Sequence, residues 1–310
     1  MTTIQTQNFG VEIELTGITR EKAAKTMAEY FGQTYRHTGG SYDAWTAFDR
    51  EGRIWKAMSD GSIRRTRKMD GQQVPADWKY SCEIVTPILQ YKDMEDLQQI
   101  VRLLVKKGAV ANDSCGIHVH VDGANHTPAS LSRLLNFAVG RQDLFYEALQ
   151  IGDRANRWCH KANKNLFKAI KKNHADTHTV ERLWYSNLND GYRGGVSHEH
   201  YNDTRYHGIN LHAFFTKGTV EFRLFNGTTH AGKIKAYVQF CLAMSAWAIN
   251  TEKDNLFFKS TANMTQEQKA ALMLRVLTKR LKMRGPEFKT ARLHLTSAFT
   301  QTTAADEEAA

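Results

Sequence analysis

Four short segments of this chain alternate apolar and polar residues so cleanly that only a β-strand can give each of them a single apolar face. In Phe9-Gly-Val-Glu-Ile-Glu-Leu15, Val11, Ile13 and Leu15 fall on one side and Glu12 and Glu14 on the other. Cys82-Glu-Ile-Val-Thr86, closed by Pro87, places Glu83 the same way, and Gly116-Ile-His-Val-His-Val121 sets His118 and His120 opposite Ile117, Val119 and Val121. Thr219-Val-Glu-Phe-Arg-Leu-Phe225 puts Glu221 and Arg223 on one face. Strands covered on both sides in a parallel sheet read as continuous apolar runs, so this two-sided pattern favours an antiparallel sheet.

Helical spacing fills much of the intervening chain. It predicts helices over Thr19–Phe31 with Thr19 as cap, over Lys92–Lys107 ended by Gly108, and over Pro128–Leu149 opened by Thr127. Further helices are expected over Lys233–Ile249 and from about Thr265 to Leu281. A strand is expected at Ile54–Met58, with Thr38–Ser41, Arg64–Lys68 and Gly71–Asp77 as loops. Tyr206–Phe215 and Thr219–Phe225 read as a hairpin turning at Lys217-Gly218. The fold class is therefore α+β, a largely antiparallel sheet with helices on one face and a polar cavity on the other. No Pro/Gly linker divides it, so one catalytic domain is expected over 9–250, followed by a helical C-terminal extension, 251–310, with a frayed acidic end.

Composition narrows the partners. Lys and Arg number 42 against 32 Asp and Glu, a net charge of +10, which favours nucleotide, phosphate, nucleic acid or carboxylate ligands. A solvated basic surface is the plain alternative, and the stretch Arg154, Arg157, Lys161, Lys164 and Lys168 fits either reading. No apolar run approaches a membrane span, and Met1–Asn8 lacks the apolar stretch of a signal peptide. Cys82, Cys115, Cys159 and Cys241 are widely spaced with no CxxC pair, as expected of thiols in a reducing compartment. A cytoplasmic protein with no membrane partner follows as the expectation.

Charged side chains on one strand are ordinarily a solvated face. Four strands repeating the pattern weaken that explanation, because acids gathered on one sheet face stay ionised only if cations compensate them. Hard carboxylate oxygens select magnesium or manganese, which commonly bridges carboxylates to nucleotide phosphates. The planar fork of Arg223 suits a phosphate oxygen, or else an ion pair with a neighbouring glutamate. The His118/His120 pair leaves a zinc or iron site open, and with it a metal-dependent hydrolase. A nucleic-acid-binding or nucleic-acid-modifying protein is the alternative from another class, motivated by the net charge.

The ordered set Phe9-Gly-Val-Glu-Ile-Glu, Asp60-Gly-Ser-Ile, Glu83-Ile-Val-Thr-Pro, Cys115-Gly-Ile-His-Val-His-Val and Gly218-Thr-Val-Glu-Phe-Arg-Leu-Phe-Asn-Gly-Thr228 resembles the amidoligase family. That family is related to the carboxylate–amine ligases typified by glutamine synthetase and glutamate–cysteine ligase. The resemblance spans about residues 9–250. It implies the glutamine-synthetase-like catalytic fold, a curved antiparallel sheet around ATP and magnesium (or manganese). By similarity Glu12, His118 and Glu221 would hold one ion, and Glu14, Asp60 and Glu83 others. Arg223 would contact the γ-phosphate, Glu83 and Arg223 would serve catalysis, and His120 would touch nucleotide or substrate. The implied reaction joins a carboxylate to an amine through an acyl phosphate, releasing ADP and phosphate. The amino-acid-binding residues of glutamate–cysteine ligase have no match here, so neither substrate carries over.

Overall fold

The computed structural model describes residues 1–252 and 260–300. Contacts between residues divide the chain into two compact units, each assembled from separate stretches of sequence. One takes Asn8–Val119 with Phe225–Lys235; the other takes Met1–Gln7, His120–Leu224 and the chain from Ala236 onward.

The first unit is a mixed layer of strands and helices. In chain order it holds β1 (Phe9–Leu15), α1 (Arg20–Phe31), β2 (Tyr35–Gly39), β3 (Ala44–Phe48), β4 (Ile54–Met58), β5 (Thr66–Met69), β6 (Gln72–Pro75), β7 (Cys82–Val85), α2 (Met94–Lys106) and the start of β8 (Gly116–Asp122). Its sheet runs β2-β3-β4-β7-β1-β8, and the ladders from β2 through β1 are antiparallel. Val11, Ile13, Leu15, Ile84, Ile117 and Val119 are buried, as their alternation requires. α1 lies across β3 and β4, stacking Phe31 on the buried Trp55 at 5.6 Å between ring centroids. Thr19 caps α1 by accepting the Lys22 N–H, and Gly32 ends it in the left-handed conformation that glycine adopts without strain.

A buried cation ties the turns of this unit together. Arg20, 2% exposed, pairs with Asp43 at 2.5 Å, donates to the carbonyls of Trp78 and Ser81, and stacks on the Trp78 ring. Burial alone would raise the Asp43 carboxyl; the bonds from Arg20 and His37 outweigh it and hold the group below its ordinary range.

Three stretches expected as loops contribute to two hairpins. Thr38–Ser41 belongs to the β2–β3 turn, and Arg64–Lys68 with Gly71–Asp77 forms the β5–β6 ribbon. Asp70 and Gly71, both at positive φ, form the two-residue turn typical of hairpins. The ribbon escapes a hydrophobicity reading because its exposed strands carry Arg67, Lys68, Gln72 and Gln73 in place of apolar residues.

The second unit is mainly helical. It contains α3 (Pro128–Val139), α4 (Gln142–Ala148), α5 (Lys164–Lys172), α6 (Thr177–Trp184), β9 (Ile209–Asn210), α7 (His212–Lys217), most of β10 (Thr219–Asn226), most of α8 (Ala231–Asn250), α9 (Gln266–Arg275) and α10 (Lys289–Thr300). Phe145 meets Phe240 edge-on at 5.2 Å and Phe137 lies 4.6 Å from Trp247, forming an aromatic centre between α3, α4 and α8. Thr127 and Pro128 open α3 as expected, but the single helix over Pro128–Leu149 is two, interrupted at Gly140 and Arg141.

The expected hairpin at Lys217-Gly218 is also different. β9 has two residues, and the chain returns to β10 through α7, which ends at Gly218 in the left-handed region (φ 72°). Asn210 Oδ1 accepts the His212 N–H at 2.8 Å, turning the chain into that helix before a strand can extend. The described part of the C-terminal stretch is helical, α9 followed by α10; the acidic end lies outside the described residues. Among the described residues no helix is long and apolar enough to cross a membrane. All four cysteines are buried and no disulfide joins them.

Candidate active site

The β1–β7 register sets the first cluster. Glu14 lies directly opposite Glu83, and Glu12 opposite Val85. Directly opposed residues of an antiparallel pair share a face, so the Glu14 and Glu83 carboxylates project side by side. β8 flanks β1 on its other edge and brings His118 to the same place. One ligand-capable atom each from Glu14, Glu83 and His118 lies within 4.8 Å of the other two. Glu14 is 5% exposed, Glu83 9% and His118 3%, so water screens these charges poorly.

Hydrogen bonds orient the cluster. His118 Nδ1 is 2.9 Å from Glu12 Oε2, and its Nε2 is 3.8 Å from Glu14 Oε1. An imidazole that donates from one nitrogen to a carboxylate presents the lone pair of the other, the arrangement usual for a metal-binding histidine. The Gly116 N–H donates to Glu14 Oε2 at 2.6 Å, fixing the second oxygen of that carboxylate. Two carboxylates and one imidazole suit a divalent cation of the magnesium or manganese type, and the donor set is short of the histidines a zinc hydrolase would use. Asp60 is not a member of this cluster. Its Oδ1 accepts from the Ser62 N–H at 2.6 Å, and its backbone is held by Ser81.

The second unit carries the remaining candidates. Glu221 and Arg223, two residues apart on β10, share a face, and Arg223 Nη1 donates to Glu221 Oε1 at 2.6 Å. The ion pair that the spacing allowed is therefore present. Asn210, directly opposite Glu221 in the β9–β10 register, donates to Glu221 Oε2 at 2.6 Å. Glu221 is 3% exposed and Arg223 5%. His120 Nδ1 is 3.0 Å from Thr219 Oγ1, and its Nε2 is 3.9 Å from Glu221 Oε1. Of the basic middle stretch, Lys161 pairs with Asp143 at 2.6 Å, Arg157 stacks on Trp158, and Arg154 is buried.

Asn210, Thr219 and the Gly116 N–H escaped the sequence reading. Asn210 and Thr219 are polar residues of common types whose partners are set by register, and a backbone N–H has no signature in the sequence.

A protein-family model described as "Putative amidoligase enzyme" matches residues 5–245, from before β1 to late in α8. The chain belongs to the amidoligase family. Both residue clusters of this amidoligase lie inside the matched span, and the family places the protein among ligases. No curated protein matches it.

Proposed function

We propose that this amidoligase is an ATP- and magnesium-dependent carboxylate–amine ligase that forms an amide through an acyl phosphate. The observation that carries the reading is the buried Glu14–Glu83–His118 cluster, two opposed carboxylates and an imidazole. Two ionised carboxylates in that position need a cation, and magnesium held by protein carboxylates characteristically binds polyphosphate as well. We read the antiparallel sheet, correspondingly, as one of the glutamine-synthetase-like type.

Glu14, Glu83 and His118 would hold magnesium, or manganese in its place, with Glu12 fixing the His118 ring. The ion, when bound, supplies charge neutralisation and a template for the phosphates. Arg223 would contact the γ-phosphate, its guanidinium aligned by Glu221, and His120, held by Thr219, would meet nucleotide or substrate. A substrate carboxylate oxygen attacks the γ-phosphorus and ADP leaves. The amine nitrogen then attacks the acyl carbon, phosphate departs, and the nitrogen loses a proton to give the amide.

No protein nucleophile is needed on this route, since positioning and charge stabilisation suffice for phosphoryl transfer. The test is a screen of amino acids, polyamines and small peptides for stimulated ADP release, with amide products read by mass spectrometry. Glu12→Gln and Glu83→Gln proteins should fold and release no ADP above background. Wild-type rates in both would sink the reading.

A further inference from the structure

A recess in the second unit opens beside Glu221. It has a volume of about 180 Å³, with Asn210, His212 and Glu221 in its floor and His198, Arg205 and Lys217 among its walls. The floor is buried, while His198 and Lys217 at the mouth are exposed. Among its lining residues two permanent cations, Arg205 and Lys217, stand against one carboxylate, Glu221, and His198 is itself bonded to Glu181 at 2.7 Å. The floor's carboxylate, Glu221, is already compensated by Arg223 at 2.6 Å. Arg205 uses Nη1 to donate to the His200 carbonyl at 2.9 Å, which anchors the loop forming one wall. The side chain of Lys217, in the last turn of α7, makes no hydrogen bond or ion pair among the described residues.

His212 contributes no charge to the floor. The Tyr185 hydroxyl lies 2.5 Å from its Nδ1, and burial holds the imidazole down to about 4, so the ring is neutral and accepts from the tyrosine. Two permanent cations thus face a small polar space whose own acid is neutralised. A carboxylate or phosphate oxyanion is the ligand chemistry that fits such a space, through charge-assisted hydrogen bonds.

We propose that this recess is an oxyanion-binding subsite in which Lys217 and Arg205 hold a carboxylate or phosphate group of the ligand. Its assignment to the ligase's own substrate or nucleotide rests on the reading above; the anion site itself does not. Lys217 anchors the oxyanion from the mouth, and Arg205 contacts it from the side.

Calorimetric titration of the full chain with inorganic phosphate and with succinate tests the subsite. At least one anion should bind the wild-type protein, Lys217→Gln should weaken it roughly tenfold or more, and Lys217→Arg should stay within a few-fold. Unchanged binding to Lys217→Gln, or no binding of either anion to wild type, overturns the proposal. Repeating the titrations with saturating ATP–magnesium separates the sources. Displacement of phosphate by ATP assigns the subsite to nucleotide phosphates, whereas succinate binding beside ATP assigns it to an acidic substrate. The two readings also fail separately. Lys217-dependent anion binding by a protein with no affinity for ATP–magnesium removes the ligase reading and leaves the subsite standing. ATP–magnesium binding to both proteins, with anion binding indifferent to Lys217, does the reverse.

Discussion

Glu14 and Glu83 face each other across the β1–β7 ladder, two carboxylates in register on adjacent strands with 5% and 9% of their surfaces exposed. Like charges directly opposite one another oppose strand pairing by up to about 1 kcal/mol, and poor screening adds to that. The arrangement therefore predicts a protein that is stabilised by magnesium or manganese. Ligand at about a hundred times its dissociation constant adds roughly 2.7 kcal/mol. Glu83→Gln should lose most of the metal-induced rise in thermal midpoint, yet be at least as stable as wild type in the presence of chelator. Equal metal-induced shifts in the two proteins would show that the cluster is not the binding site.

Gly227 predicts an effect at a distance on the same cluster. It donates its N–H to the Cys115 carbonyl at 2.8 Å, and a Cβ at this position would stand 2.5 Å from the Cys115 Cβ. Cys115 precedes Gly116, whose N–H holds Glu14. Gly227→Ala should cost about 1–3 kcal/mol in urea unfolding, as overpacking does. It should also weaken metal binding, because the displaced Gly116 no longer fixes the Glu14 oxygen. A variant that loses stability while keeping wild-type metal affinity would separate Gly227 from the site.

Much of this cluster was legible in the sequence, because a two-residue period is a local property. Val11 and Glu12, Ile84 and Glu83, and Val119 and His118 each declare their faces without any tertiary information. What the sequence could not declare is register. Nothing local says that Glu14 meets Glu83, or that Asn210 meets Glu221, since those pairings depend on how distant strands align. The β5–β6 ribbon was missed because its strands lack apolar alternation, although Asp70-Gly71 carried the turn signal. α7 was missed because Ile209-Asn-Leu-His-Ala213 alternates as a strand would, and the helix start depends on a bond from the Asn210 side chain. Asp60 came from the family resemblance alone, and in the structure its Oδ1 is held by Ser62.

His126 should contribute to the pH dependence of stability, as should His212, whose imidazole burial also holds down to about 4. His126 Nδ1 lies 3.0 Å from Ser130 Oγ and its Nε2 3.0 Å from Ser245 Oγ. The Ser245 hydroxyl donates to Gln7 Oε1 at 2.6 Å, so the His126 Nε2–H is the donor to Ser245. Burial, with Arg133 nearby, pushes the imidazole from 6.5 down to about 4. The folded value lies below the unfolded one, so the unfolded chain takes up the proton first. Stability is full above about pH 6.5 and falls as pH drops toward 4. Between about pH 6.5 and pH 5 this part of the loss should be of order 1 kcal/mol, measured as a lowered urea midpoint. His126→Asn should flatten that slope, and a variant retaining the full slope would assign it to other groups.

The Arg223–Glu221 pair allows a structural role to be separated from a chemical one. Both side chains are almost wholly buried and joined at 2.6 Å, with Asn210 also donating to the glutamate. Removing one member of a buried pair leaves an uncompensated charge, at a cost of about 3–5 kcal/mol. Arg223→Met should therefore be strongly destabilised, whereas Glu221→Gln combined with Arg223→Met removes both charges and should recover at least about 1 kcal/mol relative to additive behaviour. Urea unfolding of the two single variants and the double variant measures that coupling. If the losses simply add, the pair is not a coupled unit. The double variant then tests the chemistry, because it restores the fold without restoring the guanidinium. A stable double variant that no longer binds ATP–magnesium, where Glu221→Gln alone still does, places Arg223 on the phosphates, and one that binds it as wild type does leaves Arg223 with the ion pair alone.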